Sequence, residues 1–227
     1  MRNTIFANDE YYHVFNRGVE KRDVFSDTKD YERFLLSMNI LNDQRINSMI
    51  DWRDYKKYNK HASLDDFLKL RFRSDDRQPY VEIVAYCLNP NHYHFILKQV
   101  ADRGIEKFMH KIGVSHAKYY NKKHERSGVL FQGVFKAIHI DSNEYLLYLS
   151  AYVNKNNFIH GYNKDDQWPY SSLHHYLGKT NNPLIHENVV LSQLGNRANY
   201  KTFLEKNALH MRNKKELSAY LIEESYS

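Results

Sequence analysis

Two apolar runs joined by a short turn constrain the fold of this 227-residue chain more than any other feature. Residues 81–88 and 93–100 are rich in β-branched and aromatic side chains, which favour strands. Between them, an Asn-Pro-Asn sequence at residues 89–91 has the residue types of a turn. The pattern predicts an antiparallel hairpin, with His92 and His94 at the start of its second strand.

The segments around this hairpin alternate between the period of a strand and the period of a helix. Asp27 is a plausible N-cap of one helix, and residues 141–144 resemble the capped start of another. This order predicts an α+β, ferredoxin-like antiparallel sheet with helices on one face and one further helix. The predicted elements are a strand at residues 11–19, a helix at 29–42, the hairpin, a helix at 104–124, a strand at 129–140 and the helix after 144.

Two segments fall outside this pattern. Residues 43–79 are polar and of mixed charge, so we expect an insertion that is part helical and part mobile. Towards the end of the chain, two short helices are predicted at residues 186–194 and 198–207. We therefore expect a main domain at residues 1–165 and a helical C-terminal extension at residues 166–227.

The composition limits which classes of protein this chain can belong to. With 42% hydrophobic residues the chain can build a core without disulfides, and its single cysteine, Cys87, fits a reducing compartment. Neither the N-terminal residues nor the apolar stretch at residues 145–153 has the length and hydrophobicity of a membrane segment. We expect a cytoplasmic protein without a membrane partner.

Positive charge is concentrated in one part of the chain. The formal net charge is +6, and residues 103–136 contain eight lysines and arginines against two glutamates. Aromatic residues lie among these bases, a mixture that suits phosphate contacts and base stacking but is also found on a solvated helix above core aromatics. The candidates for phosphate contacts are Arg17, Lys107, Lys111, Lys118, Lys122, Lys123 and Lys136.

His92 and His94 are candidate metal ligands, because side chains two apart on a strand point to the same face. Strand histidines also serve as hydrogen-bonded structural residues, so the pair alone leaves both interpretations open. If the last predicted helix packs beside this strand, Tyr152 and Asn156 add a phenol and an amide, four residues apart, at the same place.

A tyrosine needs activation to act as a nucleophile, because a phenol with a pKa of about 10 is almost entirely protonated at neutral pH. Lys155, three residues after Tyr152, is a candidate auxiliary cation. Several tyrosines share this helical stripe, and periodicity does not choose the nucleophile among them. Other histidines, among them His13 and His160, have no partner at ligand spacing in the sequence.

Several stretches resemble the single-tyrosine HUH transposase family. The sequence Asn-Pro-Asn-His-Tyr-His resembles the family's Pro-Asn-His-x-His hairpin, and a Tyr-x-x-x-Asn pattern resembles the catalytic helix of its REP-associated tyrosine transposase branch. The stretches that carry the resemblance are residues 14–18 for the first strand, 89–94 for the hairpin, 128–137 for the last strand, 144–156 for the catalytic helix, and 168–172.

The resemblance implies a role for each candidate residue. Tyr152 would be the catalytic nucleophile, and His92, His94 and Asn156 would hold a divalent metal, Mg²⁺ or Mn²⁺. The implied reaction nicks and rejoins single-stranded DNA through a 5′-phosphotyrosine intermediate, at hairpins of REP-like repeats. No nucleotide cofactor is needed, because the phosphotyrosine preserves the bond energy. Both a monomer and a homodimer are compatible with the family.

The sequence departs from the branch at three positions. Asn89 stands where methionine is common, Val134 where a basic residue is common, and Asn157 where proline is usual. None of these departures removes a proposed ligand or the nucleophile. Two imidazoles by themselves also suit a softer metal such as Zn²⁺, so the implied metal has an alternative.

The sequence leaves two rival functions open. The first is a domesticated module that binds hairpin nucleic acid without cutting it. The second is a metal-dependent phosphodiester hydrolase, in which water is the nucleophile and Tyr152 only packs.

Overall fold

A four-stranded antiparallel sheet in the order β2-β3-β1-β4 forms the centre of the molecule. The computed structural model describes residues 4–46, 49–71, 77–162 and 167–213. Its strand order and its connections through helices confirm the predicted ferredoxin-like α+β fold. The strands are β1, Tyr11–Arg17; β2, Val81–Asn89; β3, His92–Gln99; and β4, Lys136–Ile140.

The helices divide between the two faces of this sheet. On one face, α1 packs against α4, and Phe34 of α1 contacts the rings of Tyr93 and Phe95. On the other face, α5 packs across β2 and β3. The helices are α1, Thr28–Leu41; α2, Ile50–Tyr58; α3, Leu64–Arg71; α4, Gly104–Lys123; α5, Asn143–Asn154; α6, Asn156–Ile159; α7, Leu173–Tyr176; α8, Asn188–Leu194; and α9, Arg197–Asn213.

Side-chain caps fix the starts of the helices that flank the sheet. Asp27 accepts a hydrogen bond from the backbone N–H of Asp30 at the start of α1, as its residue type predicts. Ser142 does the same for Tyr145 at the start of α5. Each cap satisfies one backbone donor of the first turn, so both helices begin at fixed points relative to the strands before them.

The fourth strand is shorter than the predicted residues 129–140. Gly128 and Gly133 have positive φ angles of 88° and 69°, which interrupt an extended chain, and β4 begins only at Lys136. Between the two glycines, Phe131 forms an isolated bridge to Gly18. A loop therefore replaces the first half of the predicted strand and lies beside the end of β1.

The insertion at residues 43–79 is partly helical, as predicted, and contains α2 and α3. Its residues 47–48 and 72–76 lie outside the described residues. Asn42 closes its base: Nδ2 donates to the carbonyl of Val81 at 2.8 Å, and Oδ1 accepts from the backbone N–H groups of Tyr80 and Val81 at 3.1 Å. The two ends of the insertion are thereby held together.

The C-terminal helices pack on the main domain. The predicted helices at residues 186–194 and 198–207 correspond to α8 and to the longer α9. The hydroxyl of Tyr200 in α9 accepts a hydrogen bond from Asn154 of α5 at 2.7 Å. The division of the chain at residue 165 stays a prediction.

Within the described ranges, no helix has the length and apolar character that crossing a membrane requires.

Candidate active site

The register of the strands places the histidine pair beside β1. In the pairing of β1 with β3, Arg17 lies opposite His92 and Phe15 lies opposite His94. Opposed residues of an antiparallel pair share a face, so these four side chains belong to the face that α5 covers. The predicted convergence of His92 and His94 on one face is present, with ring centroids 5.2 Å apart.

Tyr152 and Asn156 lie on consecutive helices and not on the single helix that was predicted. α5 ends at Asn154, and Lys155, with φ −106° and ψ 12°, separates it from α6, which begins at Asn156. The backbone N–H of Lys155 still bonds to the carbonyl of Ala151 at 3.0 Å, so the chain turns without leaving the helical path. Asn156 consequently remains about one turn beyond Tyr152.

The side chain of Asn156 contacts that of His92, beside the turn of the hairpin. Its Oδ1 lies 3.0 Å from His92 Nε2, and the side chain of Asn156 is fully buried. On the other side of the imidazole ring, His92 Nδ1 lies 2.6 Å from Asn91 Oδ1. Because a carbonyl oxygen only accepts, Nδ1 carries the ring proton and Nε2 presents a lone pair towards Asn156.

His94 is held by a second histidine. Its Nδ1 lies 2.9 Å from Nε2 of His13, and both side chains are buried. A hydrogen bond at Nδ1 orients the ring and leaves Nε2 as the nitrogen that can bind a cation. His13 thus belongs to the site, although its sequence position gave no sign of it.

Tyr152 stands next to this pair in the same chain. Its ring is edge-on to that of His94, with centroids 5.5 Å apart, and only 1% of the residue is exposed. The phenol oxygen lies 3.4 Å from Nε2 of His160, whose ring also packs 5.0 Å from that of His92. His160 therefore links the phenol to the histidine pair, and sequence reasoning missed it.

The donor set fits a divalent cation. Nδ2 of Asn156 is buried without a hydrogen-bond partner among the described residues, which is unusual for an amide. The oxygen of the same amide is directed at His92. The described part of the chain has no cluster of three or more histidine, cysteine, aspartate or glutamate side chains suited to a metal. The third candidate donor, Oδ1 of Asn156, is an amide oxygen, which Mg²⁺ and Mn²⁺ accept more readily than Zn²⁺ does.

A cavity of about 530 Å³ opens beside these residues. Arg17 and Lys136, two of the predicted phosphate contacts, line it together with His92, His160 and Tyr162. Lys136 pairs with Phe15 in the β1–β4 register, so its side chain shares the face of the histidine pair. The cavity is wide and polar enough for a phosphate group to approach both bases.

The other predicted phosphate contacts lie on α4, across the sheet from His92. Lys107 lines a cavity between α4 and the loop at residues 128–135, and Lys111, Lys118 and Lys122 line a cavity between α4 and α2. The structure therefore separates these bases from Arg17 and Lys136 and does not form one continuous patch around the histidines.

Lys123 is engaged in ion pairs. Its Nζ lies 2.7 Å from Asp27 and 2.6 Å from Asp30, and Asp30 is fully buried. Burial opposes the charge of Lys123, but the two carboxylates raise its pKa above the usual lysine range. We therefore do not expect Lys123 to contact DNA.

Lys155, the predicted auxiliary cation, lies at the junction of α5 and α6. Its side chain is buried, and its Nζ is 5.4 Å from the ring centroid of Phe158. The contact turns the ammonium towards α6 and α9, where Arg212 also lies above Phe158. Its role beside Tyr152 stays a prediction.

Comparison with known proteins identifies the family and the fold of this chain. The sequence profile of the family described as "Transposase IS200 like" matches residues 8–156. No curated protein sequence matches the chain. Among solved structures, that of a REP-associated tyrosine transposase bound to a REP hairpin is similar, with a TM-score of 0.51, 14% identity, and coverage of 81% of this chain and 88% of that chain. At this identity, the likeness concerns the fold.

Proposed function

The chain belongs to the family of IS200-like transposases, and from this premise we propose that it nicks and rejoins single-stranded DNA through Tyr152. One observation carries the proposal: a single chain places Tyr152 against His94 while His92 meets Asn156 on the same sheet face. Nucleophile and candidate ligands therefore need no second subunit to meet, and we propose that the monomer is sufficient.

In the proposed step, the phenol oxygen of Tyr152 attacks the phosphorus of a phosphodiester. An oxygen–phosphorus bond forms to the tyrosine, and the bond between phosphorus and the 3′ oxygen breaks. The phenol loses its proton and the departing 3′ oxygen gains one, so the products are a 5′-phosphotyrosine and a 3′-hydroxyl. Attack by a 3′-hydroxyl on the phosphotyrosine reverses the step and rejoins strands without a nucleotide cofactor.

Nε2 of His160 lies 3.4 Å from the phenol oxygen of Tyr152. We propose that His160 receives the phenol proton. The distance between its Nε2 and the phenol oxygen can shorten in the complex, because hydrogen-bond geometry in enzymes often tightens when substrate binds. The burial of Tyr152 keeps the phenol fixed, so little conformational freedom is lost before attack.

We propose that His92, His94 and Asn156 hold Mg²⁺ or Mn²⁺. Bound there, the cation would withdraw negative charge from the non-bridging phosphate oxygens. His13 would keep the ring of His94 in place, and Asn91 would keep Nε2 of His92 directed inward.

We propose that the substrate is DNA with a hairpin and a single-stranded flank, and that the protein acts in the cytoplasm. The solved relative of similar fold is bound to a REP hairpin. In this chain, Arg17 and Lys136 line the cavity beside His92 and supply positive charge for the phosphate next to the cut. Lys107, Lys111, Lys118 and Lys122 of α4 would contact DNA further from the reacting phosphate.

A covalent-adduct assay tests the proposal and separates it from its rivals. The protein is incubated with Mg²⁺ and a hairpin oligonucleotide labelled at its 3′ end, because the 5′-phosphotyrosine retains the strand on the 3′ side of the cut. We expect a labelled adduct that survives denaturant, is lost on removal of divalent cations, and is absent from Tyr152→Phe.

Tyr148→Phe is the matched control, since Tyr148 lies one turn earlier on the same helix. Adduct formation should be unchanged in that variant. Cleavage that persists in Tyr152→Phe would support a hydrolase that uses water. Hairpin binding without cleavage by the unmodified protein would support a binding module.

A further inference from the structure

Asn89 occupies the space between two candidate ligands. It is fully buried at the end of β2, and its Nδ2 lies 2.9 Å from Nε2 of His92 and 2.5 Å from Oδ1 of Asn156. Since Nδ1 of His92 carries the ring proton, both of these atoms present lone pairs towards Asn89. The N–H groups of Asn89 thus bridge two lone pairs that could otherwise bind a cation.

The three atoms have the spacing of a metal site. Nδ2 of Asn89, Nε2 of His92 and Oδ1 of Asn156 form a triangle with sides of 2.5, 2.9 and 3.0 Å. Neighbouring ligand atoms of an octahedral Mg²⁺, each about 2.1 Å from the ion, are about 3 Å apart. The triangle is therefore close in size to one face of such an octahedron.

Rotation of the Asn89 carboxamide exchanges its nitrogen and its oxygen. In the described orientation, Oδ1 lies 3.7 Å from Sγ of Cys87, a weak partner. After a rotation of 180°, Oδ1 faces His92 and Asn156, and Nδ2 faces the sulfur. Little hydrogen bonding is lost on the Cys87 side, whereas the oxygen gains a position among the candidate ligands.

We propose that Asn89 is a further ligand of the divalent cation, binding through its amide oxygen beside His92, His94 and Asn156. The inference rests on the proposed function, which supplies the cation. A second amide oxygen makes the donor set harder and favours Mg²⁺ or Mn²⁺ over a metal that prefers nitrogen and sulfur. With four protein donors, the cation would still have room to bind an oxygen of the reacting phosphate.

Metal binding by two variants of Asn89 tests the inference independently of catalysis. The affinity for Mn²⁺ is measured by isothermal titration calorimetry in the DNA-free protein, together with the rise in unfolding temperature that Mn²⁺ produces. Asn89→Leu has a similar volume without an oxygen, and we expect its affinity for Mn²⁺ to fall by at least about 10-fold. Asn89→Asp keeps an oxygen and adds charge, so it should bind Mn²⁺ at least as tightly as the unmodified protein.

The Asp variant separates a ligand from a hydrogen-bond donor. A carboxylate cannot donate to His92 or Asn156, so Asn89→Asp removes the donor and keeps an oxygen; Mn²⁺ binding as weak as that of Asn89→Leu would show that Asn89 acts as a donor. That result, or unchanged affinity in Asn89→Leu, would overturn the inference.

Asn154→Leu is the matched control, because Asn154 is equally buried but bonds to Tyr200 and Ser172. Its affinity for Mn²⁺ should not change. Circular dichroism in the presence of a chelator confirms that each variant is folded. If every Asn89 variant forms the adduct and binds Mn²⁺ normally, this inference is refuted and the proposed function stands. If the unmodified protein does not bind Mn²⁺, both this inference and the proposed role of the metal are refuted.

Discussion

Nε2 of His13 lies 2.9 Å from Nδ1 of His94, in a buried contact between neighbouring strands. If His94 binds a cation through Nε2, its Nδ1 carries the proton and donates to His13. The strand β1 therefore contributes to the site through a residue that does not touch the cation.

Replacement of His13 by phenylalanine should weaken metal binding. Without an acceptor for its Nδ1 proton, the ring of His94 is less well oriented, and we expect the Mn²⁺ dissociation constant to rise by about 10- to 100-fold. Calorimetric titration measures this change. His13→Gln, which retains an acceptor, should restore part of the affinity, and His139→Phe, at an exposed position on β4, should have no effect.

Replacement of His160 by alanine should slow formation of the phosphotyrosine. If His160 receives the phenol proton, the single-turnover rate should fall by about 100-fold, while hairpin affinity should change little. Quenched-flow sampling of the adduct measures the rate. His210→Ala, at an exposed position on α9, is the control, and an unchanged rate in His160→Ala would assign the proton to another acceptor.

DNA binding should depend on salt through Arg17 and Lys136. Each contact with a phosphate of single-stranded DNA contributes about −0.7 to the slope of log affinity against log salt concentration. Arg17→Ala and Lys136→Ala should each reduce the steepness by about that amount, as measured by fluorescence anisotropy. Lys201→Ala, on the exposed side of α9, should leave the slope unchanged, and equal slopes in all variants would contradict the predicted contacts.

Lys123 should matter for stability and not for DNA affinity. Lys123→Met leaves the buried carboxylate of Asp30 without its ammonium partner, so we expect a lower unfolding temperature. Hairpin affinity should stay within about twofold of the unmodified protein, since a charge already paired with two carboxylates contributes little to a phosphate contact. A large loss of hairpin affinity without a loss of stability would indicate that Lys123 contacts DNA.

His116 should make the fold sensitive to mild acid. Burial lowers the pKa of His116 from the ordinary 6.5 to about 4. The hydrogen bond that its Nε2 donates to the carbonyl of Val24 raises the pKa but does not offset the effect of burial. Between these two pH values the unfolded chain binds a proton that the folded chain does not, so stability falls as the pH falls. The difference amounts to about 3 kcal/mol, with full stability retained above pH 6.5.

Denaturant titrations between pH 4 and pH 7.5 measure this contribution. In His116→Phe the decline across that range should be smaller by a similar amount, even if the variant is less stable at neutral pH because the carbonyl of Val24 loses its donor. An identical pH dependence in both proteins would show that other groups cause the acid sensitivity.

Local patterns in the sequence predicted most of the sheet and its main helices. The β-branched and aromatic runs at residues 81–100 and the caps predicted at Asp27 and at residues 141–144 are properties of short segments, and all three predictions were confirmed. The contact between His13 and His94 depends on the register of two strands 81 positions apart, which no local pattern specifies. The same limitation hid His160, because its position depends on the break at Lys155 and on how α6 turns towards His92.

The hydrogen bonds of Asn42 with Tyr80 and Val81 join the two ends of the long segment between α1 and β2. With its two ends joined in this way, changes of length in the exposed part of that segment need not move the strand that leads to the histidine pair. It is therefore the part of the molecule in which new contacts with DNA or with other proteins can evolve at least cost to the chemistry. A chimera with a shorter segment that keeps the buried side chains of Ile46 and Phe67 would retain the geometry of Tyr152 and His94.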